Sequence, residues 1–142
     1  MSGPNGGEQA TGEPVADEQA PDEHTMKIGE VAEHTELSIR SLRHWDELGL
    51  VSPSAYSPGG FRLYTRGDVE RILLIRRMKP LAFSLERIRE FCRALDQRAE
   101  DAAGSAAVIA EIDAEATERL ERLRTHLAYA EEFVEIVQRL GD

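Results

Sequence analysis

Apolar residues recur at helical spacing from the point where the chain first becomes hydrophobic. KIGEVAEH places Ile28, Val31 and Ala32 on one face of a helix, and SIRSLRHWDEL places Ile39, Leu42, Trp45 and Leu48 at successive three-residue steps. Two short helices are predicted, joined tightly through Thr35, Glu36 and Leu37. Ser38 stands where a side chain can cap the second helix, and Gly49 where a left-handed residue can end it. This is the grammar of a helix-turn-helix. From Val51 to Tyr64 the pattern changes: Pro53, Pro58, Gly59 and Gly60 punctuate it, and Phe61 and Leu63 then alternate with Arg62 and Tyr64, which predicts a small β-hairpin with a Gly-rich tip. Thr65 and Asp68 form a capping pair for a third helix, carrying Val69, Ile72, Leu73 and Arg76 and ending near Pro80. Ser84 caps a fourth, with Leu85, Ile88, Phe91 and Leu95 facing inward.

RAEDAAGS, residues 98–105, reads as a linker. Beyond it, in residues 106–140, Ala116, Leu120, Leu123, Leu127, Ala130, Val134 and Val137 step alternately by four and three residues. That is a heptad seam, flanked by Ile109, Ile112, Phe133, Ile136 and Leu140. A long helix with such a stripe needs a second surface, and the spacing predicts a coiled coil with a second copy. The alternative is that the helix folds back over its own small domain.

Charge divides the chain further. The net charge of −10 argues against nucleic acid as a partner until its distribution is read. Residues 1–25 hold six acids and no Lys or Arg, and their Gly, Pro and Gln content predicts a disordered acidic tail. Residues 26–98 hold thirteen Lys or Arg against ten acids, whereas residues 99–142 hold four against eleven. The cationic excess therefore coincides with the helix-turn-helix and hairpin. At 142 residues the chain suits one small domain with an extension. It has no apolar run of bilayer length and no secretory leader, so a soluble, cytoplasmic protein is expected without a membrane partner. One cysteine, Cys92, excludes an internal disulfide and a Cys-pair zinc site within the chain. No phosphate-cradling glycine loop, metal-spaced His/Cys cluster or nucleophile with a base is present, so neither an enzyme nor a bound cofactor is expected.

The run from Lys27 to Cys92, with Ile-Gly-Glu-Val-Ala at its start, Arg-Leu-Tyr at its centre and Phe-Ser-Leu-Glu-Arg-Ile near its end, resembles the winged-helix DNA-binding domain of MerR-type transcriptional regulators. The resemblance implies a mainly α fold: a winged helix-turn-helix DNA-binding domain over 26–97, followed over 106–140 by a long antiparallel coiled-coil dimerisation helix. It also implies a homodimer that binds a pseudo-palindromic double-stranded promoter and acts by distorting an overlong spacer until the polymerase-recognition elements align. A helix fits the major groove, and Arg40, Ser41, Arg43 and His44 lie off the apolar face of Ser38–Leu48. Arg40 and Arg43 are candidates for base or phosphate contact and His44 for phosphate contact. In the hairpin, Arg62 can enter the minor-groove side or pin a phosphate, and Tyr64 can offer its hydroxyl to a phosphate while its ring packs on the domain. Two departures stand out. His44-Trp45 replaces a tyrosine pair, which assigns Trp45 to the core or the wing, with DNA contact as the alternative. Ala82 occupies a position where the family pattern has glycine, so a positive φ there would strain the turn before the fourth helix.

The chain ends at Gly141-Asp142, directly after Leu140, where family members commonly carry an effector site. The expectation is therefore no metal, iron-sulfur or thiol effector, with Cys92 a buried structural thiol, and regulation by protein abundance, a partner protein or a small ligand. RNA polymerase or another regulatory protein is a further partner. Two other readings stay open: an interaction module for a sigma factor or larger regulator, and a DNA-architectural, excisionase-like protein that bends DNA without regulating a promoter directly.

Overall fold

A computed structural model describes residues 25–142. The predicted acidic tail lies outside the described residues, apart from Thr25. The elements in chain order are α1 (Ile28–Thr35), α2 (Ile39–Glu47), β1 (Ala55–Tyr56), β2 (Arg62–Leu63), α3 (Arg66–Met78), a 3-10 turn (Lys79–Leu81), α4 (Leu85–Asp96) and α5 (Ala102–Leu140). Contacts divide the chain into two units, one ending at Arg76 and the next beginning at Arg77. In the second unit α4 spends its apolar face on α5.

In the first unit, α1 and α2 form the helix-turn-helix. Glu30 accepts from the Lys27 backbone N–H at 2.8 Å, securing the start of α1. At its far end Glu36 turns the chain at φ 61, and the N–H of Leu37 bonds back to the Ala32 carbonyl at 3.2 Å. Arg76 of α3 donates to the Thr35 carbonyl, supplying a cation where the carbonyls of α1 would otherwise be unmatched. Ser38 caps α2 by accepting from the Ser41 N–H at 3.0 Å. Gly49, at φ 76, closes it: its N–H bonds to Asp46 at 3.0 Å and that of Leu50 to Trp45 at 2.9 Å, the paired bonds of a Schellman ending.

The apolar sides of these elements meet in one core. Val31, Leu42, Trp45, Leu50, Val51, Val69, Ile72 and Ile75 are buried. Burial of a side chain such as Leu42 or Ile72 contributes about 1.5–3 kcal/mol before entropy is counted. Trp45 thus takes the core role. The wing is smaller than the alternation suggested: β1 and β2 are two residues each, antiparallel, with Ala55 opposite Leu63 and Tyr56 opposite Arg62. Met26 pairs with Tyr64 through two 2.8 Å backbone bonds, adding a bridge on the other side of β2 that periodicity did not reveal. Thr65 and Asp68 form the predicted capping box, with bonds of 2.8 and 3.1 Å. The Asp68 carboxylate also accepts from the backbone N–H and the hydroxyl of Ser54 at 3.0 and 2.7 Å, tying the base of β1 to the start of α3.

In the second unit, Ala82 takes φ 59 and ψ 36 as it closes the 3-10 turn. The left-handed turn is therefore retained, and alanine carries the strain. Ser84 caps α4, accepting from the Arg87 N–H at 3.1 Å. Ile88, Cys92 and Ala94 of α4 and Ser105 and Ile112 of α5 are buried, whereas Leu85, Phe91 and Leu95 are only half-buried. Arg87 holds the pair together, reaching Glu90 at 2.7 Å, Glu111 at 3.1 Å and Glu115 at 2.7 Å. These bonds raise the Arg87 pKa, and the Arg87 hydrogen bond lowers that of Glu115. Arg119 donates to the Leu81 carbonyl at 3.1 Å and lies 4.7 Å from the centre of the Phe83 ring.

The 39-residue α5 starts at Ala102, so the second half of the expected linker is helical. Asp101 causes this, accepting from the Gly104 N–H at 3.0 Å as an N-cap. At about 1.5 Å per residue the helix is about 58 Å long. Ala116 is half-buried, but beyond it Leu120, Leu123, Leu127, Ala130, Val134 and Val137 are all exposed.

Candidate nucleic-acid interface

The outer side of α2 follows from what its inner side buries. With Leu42 and Trp45 committed to the core, Arg40, Arg43 and His44 emerge together and, with Ile39 and Glu47, line one shallow open concavity. Ser41 is half-buried beside them, and its hydroxyl accepts from Ser38 at 3.0 Å while keeping its own proton for another acceptor. These four predicted residues are thereby brought onto one short helix. A patch with two guanidinium groups can form bidentate bonds to guanine edges or to phosphate, and one nine-residue helix is short enough to enter a major groove end-on or along its side. Glu47 shares the concavity; a carboxylate there can accept from cytosine N4 and repels phosphate.

Arg62, expected at the minor-groove side or on a phosphate, is also tied within the domain. Its guanidinium lies 3.4 Å from Asp46 of α2 and 3.3 Å from the Pro53 carbonyl, so it links the wing to α2. Its side chain remains 48% exposed, which leaves donors for a phosphate. Asp46 is fixed in turn by the Ser52 hydroxyl at 2.6 Å. The expected phosphate contact of Tyr64 requires correction. Tyr64 is 2% exposed, packed beneath the wing by its backbone pairing with Met26. Burial raises its pKa, and the Asp46 carboxylate adds to the effect.

Sequence reasoning missed two wing residues. Tyr56 and Phe61 are 70% and 71% exposed on either side of the tip. Phe61 is set by the turn: its N–H reaches the Ser57 hydroxyl at 3.0 Å and its carbonyl accepts from the Ser57 N–H at 2.7 Å. Gly60 makes the turn possible at φ 87. The missed signal was strand length. With only two residues in each strand, the alternation that would turn Phe61 inward never develops.

Comparison with known proteins decides what such a helix and wing belong to. A family profile described as "MerR HTH family regulatory protein" matches residues 26–95. The HTH-type transcriptional regulator ZntR of Escherichia coli (strain K12) is 30% identical over 117 residues, which cover 82% of this chain and 78% of the relative. The chain belongs to the MerR family. The matched residues 26–95 are accordingly those of a DNA-binding helix-turn-helix transcription regulator. The nodulation protein NolA of Bradyrhizobium elkanii is 40% identical over 70 residues, 49% of this chain and 32% of NolA, so the chain spans about a third of that relative's length. Among solved structures, HiNmlR, described as a MerR family regulator lacking the sensor domain and bound to promoter DNA, matches with a TM-score of 0.61 at 21% identity. The match covers 83% of this chain and 92% of HiNmlR. It shows the shared MerR fold, including the small wing and long C-terminal helix. Among the described residues, no helix is long and apolar enough to cross a membrane, and no three His, Cys, Asp or Glu cluster as metal ligands.

Proposed function

We propose that this MerR-family regulator works as a homodimer, joined through the exposed seam of α5, with two α2 helices and wings on a pseudo-palindromic promoter. The observation that carries this reading is the contrast of exposed surfaces: Arg40, Arg43 and His44 stand out on α2, and Leu120, Leu123 and Leu127 stand out on α5. The first group suits phosphate and base edges, the second another apolar helix. HiNmlR, solved on promoter DNA, supports the use of this fold for that ligand.

Regulation follows from DNA geometry. The dimer bends and untwists an overlong spacer, bringing two polymerase-recognition elements into register, so the energy of deformation carries the signal to RNA polymerase. Arg40 and Arg43 read the major groove, while Arg62, braced by Asp46, positions the wing against the backbone. A genome-wide footprint identifies the promoter, and transcription with purified components then tests the mechanism. Shortening the spacer of that promoter should make transcription independent of the regulator. Continued dependence at the shortened spacer would rule out spacer distortion, and sequence-indifferent bending would favour the architectural alternative.

A further inference from the structure

Two opposite charge patterns adjoin in this chain. Residues 1–24 carry Glu8, Glu13, Asp17, Glu18, Asp22 and Glu23 with no Lys or Arg. The exposed side of α2 displays Arg40, Arg43 and His44, and none of the three has a side-chain hydrogen bond or ion pair among the described residues. Glu47 is the one acid in the lining of their concavity, at the far end of α2 from Arg40, and the first turn of α2 holds no acid.

The backbone fixes where the acidic stretch joins the domain. Met26 is held against Tyr64 by two 2.8 Å bonds in antiparallel pairing, so the chain preceding it emerges at the base of the wing, beside β2. Arg62 is two residues back along β2, about 7 Å at strand spacing, and its guanidinium lies 3.4 Å from Asp46 of α2. His44 and Arg43 stand within a turn of Asp46, and Arg40 less than a turn beyond Arg43. These steps put the whole basic face within roughly 30 Å of the point of exit. The eight residues from Asp17 to His24 span up to about 27 Å when extended, so Asp17 and Glu18 can meet His44 and Arg43, and Glu8 and Glu13 reach Arg40 with length to spare.

We infer that the acidic stretch of residues 1–24 docks on the α2 face of its own chain, at Arg40, Arg43 and His44 with Arg62 at the edge, and that promoter DNA must displace it. Covalent attachment gives the stretch an effective concentration on the order of mM at that face. With an affinity in the same range it covers α2 for about half to nine-tenths of the time, which lowers promoter affinity about two- to tenfold, because DNA binds only the uncovered fraction. The same factor falls on every sequence, so at a given protein concentration the weak non-specific sites empty first while the promoter stays occupied. This rests on the promoter-binding reading above.

The test uses the full chain with p-benzoylphenylalanine in place of Val15. Irradiation without DNA should give an internal adduct that migrates as one chain and joins residue 15 to residues 39–47 or to Arg62, and the footprinted promoter should suppress it. Adducts confined to other residues, or none, would overturn the docking. A covalent dimer would overturn it too, by placing the stretch on another copy. As a second measure, the full chain carrying Glu8→Gln, Glu13→Gln, Asp17→Asn, Glu18→Gln, Asp22→Asn and Glu23→Gln together should bind the promoter about two- to tenfold more tightly at about 50 mM salt, with the gain fading by about 300 mM. Unchanged affinity would sink the competition, and tighter binding without the α2 adduct would reduce it to long-range repulsion of DNA. An α2 adduct in a protein that occupies no promoter would keep the docking and remove the promoter reading instead.

Discussion

The exposed side of α2 and the exposed side of distal α5 are opposites in chemistry. On α2 the apolar residues are already spent on the core and the surface displays Arg40, Arg43 and His44. On α5 beyond Arg119 the apolar residues are the surface. The first region is complete as a fold and unfinished electrostatically. The second is unfinished as a fold, because a helix stripe of that length finds no cover within its own chain among the described residues. Their difference separates two partners: charge calls for a polyanion, and a heptad stripe calls for another helix.

The contrast is broken most severely at the seam. Leu123→Glu would bury a charge between helices, at a cost of about 3–5 kcal/mol when left unpaired, and should give a monomer in sedimentation. That monomer should also lose most of its promoter affinity, because two linked recognition modules no longer share one effective concentration. A dimer that persists would move the oligomer interface away from α5. On the other side of the contrast, Arg40→Ala and Arg43→Ala should leave the dimer unchanged and each weaken specific binding by about 1–3 kcal/mol where the contact is a bidentate base pairing. Binding isotherms at matched salt that show no loss for either variant would remove the base-reading role of α2.

Ala82→Gly sharpens the comparison from within the second unit. Removing the Cβ at φ 59 should stabilise the protein by about 1 kcal/mol, seen as a higher midpoint in thermal unfolding, with promoter affinity per dimer unaltered. A smaller effect is expected for Arg62→Ala. Loss of its tie to Asp46 should lower affinity uniformly across sequences and reduce the salt slope by about one, whereas an effect confined to one base position would make the wing a reader of sequence. The smallest effect concerns pH. The Glu115 pKa is lowered from 4.5 by its bond to Arg87, so its contribution is complete above the ordinary carboxylate range and is lost as pH falls through the lowered value. Arg87, with its pKa raised, stays charged throughout. Acid melting curves should therefore be shallower for Glu115→Gln than for the parent protein.

Much of the fold is legible in the sequence, for local reasons. Ser38, Thr65 with Asp68, Ser84 and Gly49 are caps, and a cap acts on backbone groups within three or four residues. The helix-turn-helix, the α3 and α4 starts and the seam are likewise short-range patterns. The Arg40, Arg43 and His44 surface followed because Leu42 and Trp45 define the opposite face. Ala82 illustrates an intermediate case. Its strain was foreseeable from a missing glycine, but only the folded turn, at φ 59, determined that the backbone keeps the left-handed conformation.

What tertiary structure alone decided involves residues far apart in the chain. Arg62 meets Asp46 sixteen positions away, Asp68 meets Ser54 fourteen away, and Arg76 meets Thr35 forty-one away, none of them at a spacing that helix or strand periodicity can signal. The same holds for Tyr64, whose burial comes from pairing with Met26 across the domain, and for Phe61, whose exposure comes from a strand too short to alternate. Sequence by itself determined which helices form and which of their faces are apolar, because those depend on neighbours within one or two turns. Only packing decided that proximal α5 belongs to α4 while its distal seam stays open, because burial depends on which distant surface arrives to cover it.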